Sequence, residues 1–380
     1  MVKILIIDEN EDHRFFIKYI FSNENKVLKD LEFDEKFKIY EARDGIEGVK
    51  MAQLYEPNIV ILEENLQEID GIVVCEKIKA LKPDTPIIFL TTVNVLEIKE
   101  KAFQVGASDY IIKPAHPYEI IMRIKKHLDF YNAQKKLKKT LESYEKDLKI
   151  ARNVQKNLLP KIKKINNVMF DYIYISSHNT SGDMIGVVPI GDNRVFAYEY
   201  DISGHGVTSA LLSIIVRQEI EQIVQGNEII DLKEIILKLE ENTKEYFFDG
   251  MYFTGIFSII SKDKIEYANL AHREIIFLKK DKKIEYDSRT EFPMGVGLID
   301  RNNLNIYNKT IDKDSFIIYY TDGILEIDNF SEKRLYEFLT SKKYNHPQEI
   351  INDFKKKFET LLDFNFPDDD ITVLVLKQEE

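Results

Sequence analysis

Four short apolar runs in the first third of the chain constrain its fold most. Lys3-Ile4-Leu5-Ile6-Ile7 stops at Asp8, and Asn58-Ile59-Val60-Ile61-Leu62 stops at Glu63. Pro86-Ile87-Ile88-Phe89-Leu90 stops at Thr91, and Asp109-Tyr110-Ile111-Ile112 stops at Lys113-Pro114. A strand with no polar alternation is buried on both faces, the condition of a parallel sheet covered by helices on each side. The intervening stretches read as helices, for example Gly71 to Leu81 and Val95 to Val105. Strand and helix in alternation predict a doubly wound α/β sheet. Chemistry in such sheets gathers at the carboxyl ends of the strands, so Asp8, Glu63, Thr91 and Lys113 are expected to line one crevice.

The pattern changes at Phe130. Phe130, Gln134, Leu137, Leu141, Tyr144, Leu148, Ala151, Gln155 and Leu158 are spaced alternately by four and three, among many Lys and Glu, with no Gly or Pro before Pro160. This heptad seam predicts a helical coiled coil that pairs two copies of the chain; one long helix packed on its own domain is the alternative. From Asn167 onward β-rich alternation dominates. Two consecutive helical stretches, Val207 to Val224 and Asp231 to Tyr246, interrupt it, and a last helix, Pro347 to Leu362, precedes the closing strand Ile371 to Leu376. Strands with paired helices between them predict an α+β sandwich. The expected division is therefore 1–128, a linker over 129–160, and 161–380.

Composition narrows the function. The 380 residues suffice for two domains, and 44% are hydrophobic, as in a folded chain. A formal net charge of -12 repels phosphate backbones, which argues against nucleic acid as a partner and is compatible with divalent cations and proteins. Cys75 is the single cysteine, so no internal disulfide can form, and a reducing cytoplasm fits. The chain opens directly on a strand, so no secretory leader is expected, and no apolar run approaches a membrane span.

In the last two hundred residues, four aspartates each sit where a strand ends or a tight turn begins. They occur in Ser181-Gly182-Asp183, Asp201-Ile202-Ser203-Gly204-His205-Gly206, Tyr320-Thr321-Asp322-Gly323 and Asp368-Asp369-Asp370-Ile371-Thr372. Carboxylates gathered at strand ends are suited to hard divalent ions that activate water for attack on a phosphoryl group. Together these motifs resemble the bacterial type 2C (PPM) protein phosphatases of the stress-response and sporulation branch, over about Ala151 to the C-terminus. The resemblance implies a β-sandwich flanked by helices that hydrolyses phosphoserine or phosphothreonine with two Mn²⁺ or Mg²⁺ ions. Asp201 would bridge them beside the Ile202 carbonyl, Asp183 would complete one, and Asp322 with Asp369 the other. Asp370 is a neighbour that could substitute in register, and His205 a candidate proton donor. The usual substrate in that family is a phosphorylated anti-sigma-factor antagonist. The chain departs from the family pattern at Gly186, where a second acid is usual, and at Ala271 and Arg273, where Gly and Pro are usual.

Asp8, Glu9, Thr91 and Lys113-Pro114 resemble the flavodoxin-like receiver domain of response regulators, over Met1 to about Leu128. The resemblance implies an acidic pair for Mg²⁺ and a phosphoacceptor aspartate at the end of the third strand. Glu63 stands at that acceptor position, with Asp70-Gly71 downstream fixing the register. A domain not switched by ordinary aspartyl phosphorylation is therefore expected. The rival to an enzyme is a non-catalytic adaptor that pairs a receiver with a degenerate phosphatase fold. Such domains typically lose metal ligands, whereas all four acids are present here.

Overall fold

The computed structural model describes residues 1–22, 28, 36–178, 180–191, 193–225, 231–328, 330–362 and 366–379. It divides into two compact units, Met1–Ser143 and Tyr144–Glu380.

The first unit carries β1 (Val2–Ile7), α1 (Glu11–Ile20), β2 (Phe37–Ala42), α2 (Gly45–Tyr55), β3 (Ile59–Leu62), α3 (Gly71–Leu81), β4 (Ile87–Thr91), α4 (Leu96–Gln104), β5 (Asp109–Ile112) and the start of α5 (Pro117–Leu158). The sheet runs β2-β1-β3-β4-β5 and is parallel throughout. Alternate residues of one strand feed two cores. Ile4, Ile6, Ile61 and Ile88 pack with Ile17, Ile120 and Ile124 on one face. Leu5, Ile7, Val60 and Phe89 pack with Ala52, Val74, Cys75 and Ile78 on the other. Two covered faces are why these strands are apolar without alternation. Edge strand β2 is only half-buried along most of its length, and its sequence carries no comparable run.

In the second unit, β8 (Met184–Ile190), β9 (Arg194–Ile202), β10 (Phe253–Ser261), β11 (Lys264–Leu270) and β14 (Tyr307–Thr310) form one antiparallel sheet. The other runs β13-β12-β15-β16-β7-β6. Its strands are β6 (Lys164–Ile165), β7 (Val168–Ile175), β12 (Ile275–Leu278), β13 (Ile284–Asp287), β15 (Phe316–Tyr320) and β16 (Ile371–Gln378). Phe257, Tyr319 and Leu374 belong to a core that takes residues from both sheets and from α6 (Val207–Gln225) and α7 (Leu232–Thr243). Ile318, Tyr320 and Val375 point the other way, onto α9 (Glu332–Thr340) and α10 (Pro347–Leu362). The short α8 (Gly323–Glu326) follows β15.

Helix α5 is the long helix of the heptad region, and it begins at Pro117 rather than near Phe130. Phe130, Leu137, Leu141 and Tyr144 of the seam are exposed. Gln155, in the same register, is buried inside the second unit. The seam is thus open to a second helix over its first half and turned into its own domain by its end.

Candidate functional site

Each of the four aspartates sits at a strand end of the sandwich. Asp183 immediately precedes β8, Asp201 is the penultimate residue of β9, Asp322 follows β15, and Asp369 precedes β16. Strands β8 and β9 belong to one sheet, β15 and β16 to the other, so the set closes one end of the sandwich.

Asp183 is fully buried, and its Oδ2 accepts from Thr321 Oγ1 at 3.0 Å and Thr372 Oγ1 at 2.5 Å. These two hydroxyls, from the opposite sheet, are what hold its rotamer. The Asp183 and Asp201 carboxyls lie within hydrogen-bonding reach of each other. Burial first, and then the charge of Asp201, drives the Asp183 carboxyl well above the usual carboxylate range. Asp201 is raised in the same direction by burial and then by Asp322 and Asp369. Every leading charge influence on Asp201 is another carboxylate. Carboxylates crowded in this way either retain a proton or gain from an added cation.

The donor types fit hard divalent ions, although among the described residues no three of these carboxylates bring their ligand atoms within 4.8 Å of one another. All the side-chain donors are carboxylate oxygens, the preference of Mg²⁺ and Mn²⁺. Gly182 adds a geometric reason: a Cβ there would stand 2.8 Å from the Ile202 carbonyl oxygen and 3.1 Å from Asp201 Oδ1. Only glycine leaves that carbonyl and that carboxylate free to share a ligand.

Asp370 and Asp369 separate cleanly. Asp370 spends its carboxylate on the loop: Oδ1 accepts from Ser177 N at 2.7 Å and Ser177 Oγ at 2.9 Å, and Oδ2 from Gly182 N at 2.8 Å. It therefore positions the Gly182–Asp183 turn, with three of its roughly four lone-pair sites already taken. Asp369 accepts only the neighbouring Asp370 N–H at 2.8 Å, and its carboxyl is raised by burial and by Asp322. His205 is exposed and its ring stacks on His178, centroids 5.2 Å apart.

Two buried groups behind Asp201 had little sequence signal. Glu199 is wholly buried on β9, and neither carboxylate oxygen has a hydrogen-bond partner among the described residues. Burial, then Asp201, drives its carboxyl well above the usual range. His272 Nε2 lies 3.7 Å from Glu199 Oε2, and its Nδ1 is 2.8 Å from Thr254 Oγ1. Burial lowers the His272 pKa to about 4, so its ring is neutral at pH 7. A charged residue set between Tyr198 and Tyr200, within a mostly apolar strand, was the one available hint. Beside this group opens a cavity of about 320 Å³ lined by Asp201, Ser203, Tyr252, Thr254, His272 and Asp322, with Ala271 and Arg273 at its edge.

Gly186 is explained by packing. A Cβ at that position would run into the ring of the fully buried Tyr198. The aromatic ring fills the space that a longer side chain on Gly186 would take.

Gln155 joins helix α5 to the site. Its Nε2 donates to Ser181 O at 2.8 Å, and its Oε1 accepts from Ser181 N at 3.1 Å. The amide thereby grips the residue two before Asp183.

The strand-end residues of the first unit form a different cluster. Lys113 Nζ lies 2.8 Å from Asp8 Oδ2, 2.7 Å from Glu63 Oε2 and 2.8 Å from His13 Nδ1. These contacts use all three ammonium donors. His13 Nδ1 then accepts from Lys113, and the 3.2 Å separation from Asp8 Oδ2 is a neighbour contact. Asp8, His13 and Glu63 converge in the manner of metal ligands, and the Lys113 ammonium contacts all three. The second oxygen of Glu63 accepts from Glu64 N at 2.8 Å. Glu9 turns away, accepting from the Gln67 N–H. Thr91 is buried and accepts from Val93 N at 3.2 Å, and the Tyr110 hydroxyl donates to Val93 O at 2.9 Å. The Lys113–Pro114 bond is cis. His13 escaped sequence reasoning because it lies within a helix, away from any strand end.

Comparison with known proteins agrees with this geometry. Residues 191–379 match the family "Stage II sporulation protein E (SpoIIE)", and residues 4–125 match "Response regulator receiver domain". The phosphoserine phosphatase RsbP of Bacillus subtilis (strain 168) is 27% identical over 225 residues, covering 57% of this chain and 53% of that protein. The cell cycle transcriptional regulator CtrA of Caulobacter vibrioides is 37% identical over 90 residues, covering 24% of this chain and 39% of that protein. The chain thus spans about half the length, or less, of these curated relatives. The solved SiaA PP2C domain of Pseudomonas aeruginosa superposes with a TM-score of 0.55 at 14% identity, covering 63% of this chain and 99% of that one. That likeness establishes the PP2C fold. No helix among the described residues is long and apolar enough to cross a membrane.

Proposed function

We propose that this chain, a receiver domain followed by a SpoIIE-type PPM phosphatase domain, is a cytoplasmic, metal-dependent hydrolase of phosphoserine or phosphothreonine on a protein. The observation that carries the reading is the placement of Asp183, Asp201, Asp322 and Asp369 at strand ends of the two facing sheets, with Asp201 and Asp322 lining one cavity. Asp183, Asp201 and the Ile202 carbonyl would hold one Mn²⁺ or Mg²⁺ ion, and Asp201, Asp322 and Asp369 the other. Bound there, such ions supply an activated water and neutralise charge on a phosphoryl group. The chain's own contribution is positioning. Thr321 and Thr372 hold Asp183, Asp370 holds the turn before it, and Gln155 holds Ser181. A phosphorylated anti-sigma-factor antagonist is the substrate class we favour, and the name of the relative RsbP supports phosphoserine. The exposed seam Phe130, Leu137, Leu141 and Tyr144 supports a homodimer through α5.

The domain limits we favour remain 1–128, 129–160 and 161–380. In the first of these, Glu63 takes the place of the phosphoacceptor aspartate, and its salt bridge to Lys113 supports a receiver held in one state without phosphate.

The decisive experiment is a Mn²⁺-dependent assay on a generic phosphopeptide, comparing wild type with Asp201→Ala and Asp322→Asn. Loss of several kcal/mol of transition-state stabilisation predicts a fall on the order of a thousandfold in each variant. Equal activity in all three would overturn the assignment in favour of the adaptor.

A further inference from the structure

We infer that Arg273 is the phosphoryl-binding side chain of the cavity beside Asp201 and Asp322, an inference that rests on the phosphatase reading above. The residues lining that cavity include two acids and one arginine. His272, beside it, is neutral at pH 7. Arg273 is exposed at the edge, and its guanidinium has no hydrogen bond or ion pair with any described residue. A cation outside any close ion pair, beside an acidic cavity, is where an incoming phosphate dianion needs one. Metal ions cancel the charge of their own ligands, but Glu326 and Glu332 still lie close by, each with Arg273 as an opposing influence. The planar fork of arginine matches two phosphoryl oxygens at once.

The backbone under Arg273 is fixed. Asn269, itself buried, accepts from His272 N through Oδ1 and donates to Arg273 O through Nδ2, both at 2.8 Å. Ala271 is held at φ 53°, a left-handed conformation that a side chain tolerates poorly without such support. The turn is therefore preorganised, and it sets beside the cavity a residue whose chemistry suits the phosphoryl group and not the metal.

The test uses the full-length, Mn²⁺-loaded protein with Arg273→Ala and Arg273→Lys. Three readouts are taken: KM and kcat on a phosphopeptide, the same on p-nitrophenyl phosphate, and calorimetric binding of inorganic phosphate. Loss of a charge-assisted contact predicts about a tenfold rise in both KM values and in the phosphate dissociation constant for Arg273→Ala, with partial recovery in Arg273→Lys. The Mn²⁺ concentration for half-maximal activity should stay unchanged. Unaltered phosphate affinity in Arg273→Ala overturns the inference. So does a loss confined to the phosphopeptide, which would place Arg273 on residues flanking the phosphoserine, or a shifted Mn²⁺ requirement, which would place it in the metal site. Failure of the phosphatase reading looks different: wild type would hydrolyse neither substrate. Phosphate calorimetry on that same protein would still decide Arg273, since absence of binding by wild type would remove it as well.

Discussion

At the strand ends of the receiver unit, Asp8 and Glu63 share one lysine; at the strand ends of the phosphatase unit, the leading charge influences on Asp183 and Asp201 are other carboxylates. The residue types are nearly the same, and so is their place in the fold. The difference is who supplies the cation. Lys113 satisfies the first cluster from within the chain, so it has little to gain from an added ion. The second has no such lysine among its leading influences, so it has more to gain from an added ion. On the proposed reading, one cluster is built for persistence and the other for binding.

The sharpest way to break this contrast is to remove Lys113. Lys113→Met leaves Asp8 and Glu63 buried and unpaired, which predicts a loss of about 3–5 kcal/mol in the first unit, read as a lowered first transition in thermal or urea unfolding. Little change would mean that water already satisfies these acids. The mirror experiment adds a cation to the second cluster. Mn²⁺ at about a hundred times its dissociation constant should stabilise the protein by about 2.7 kcal/mol, read as a thermal shift absent from Asp201→Ala. That gain should shrink on acidification. Asp183 and Asp201 have folded-state pKa values raised above the unfolded value of about 4. Their contribution in metal-free protein is intact below that value and is lost as pH rises through the folded pKa, which leaves most for Mn²⁺ to recover at neutral pH.

Two smaller effects sharpen the comparison. Gln155→Leu strands the backbone N–H and carbonyl of Ser181 and should cost about 1–3 kcal/mol. It should also weaken Mn²⁺ binding, as titration of the thermal shift would show. Asp183→Asn keeps the two threonine contacts while deleting one repelling charge. It should stabilise metal-free protein by about 1 kcal/mol while abolishing most of the Mn²⁺-induced shift, opposite in sign to the Lys113 substitution.

What could be read from the sequence follows from burial. Strands β1, β3, β4 and β5 announce themselves because both faces are covered, whereas β2 is a half-buried edge that shows no apolar run. The four aspartates are visible because strand ends and glycines punctuate the chain around them. The residues that hold them are not. Thr321, Thr372 and Asp370 reach Asp183 and its turn from across the sandwich, over separations of more than a hundred positions. His13 and Lys113 meet in the same long-range way. Gln155 shows a further limit: heptad spacing reports that one side of a helix is special without telling which neighbour it faces.

That glutamine has a consequence of its own. Its amide both gives and receives a hydrogen bond with Ser181, a reciprocal pairing comparable to that between two strands. Successive helical residues are turned by roughly 100° and raised by roughly 1.5 Å, so a roll of α5 by one residue, or a slide by that rise, would break both bonds together. The turn that presents Asp183 is keyed to the angular phase of the helix, much as a lock is keyed to the rotation of its cylinder. Whatever acts on this helix from its far end has to deliver torque or axial displacement; merely straightening or lengthening α5 would leave the two bonds, and the carboxylate they steady, where they are.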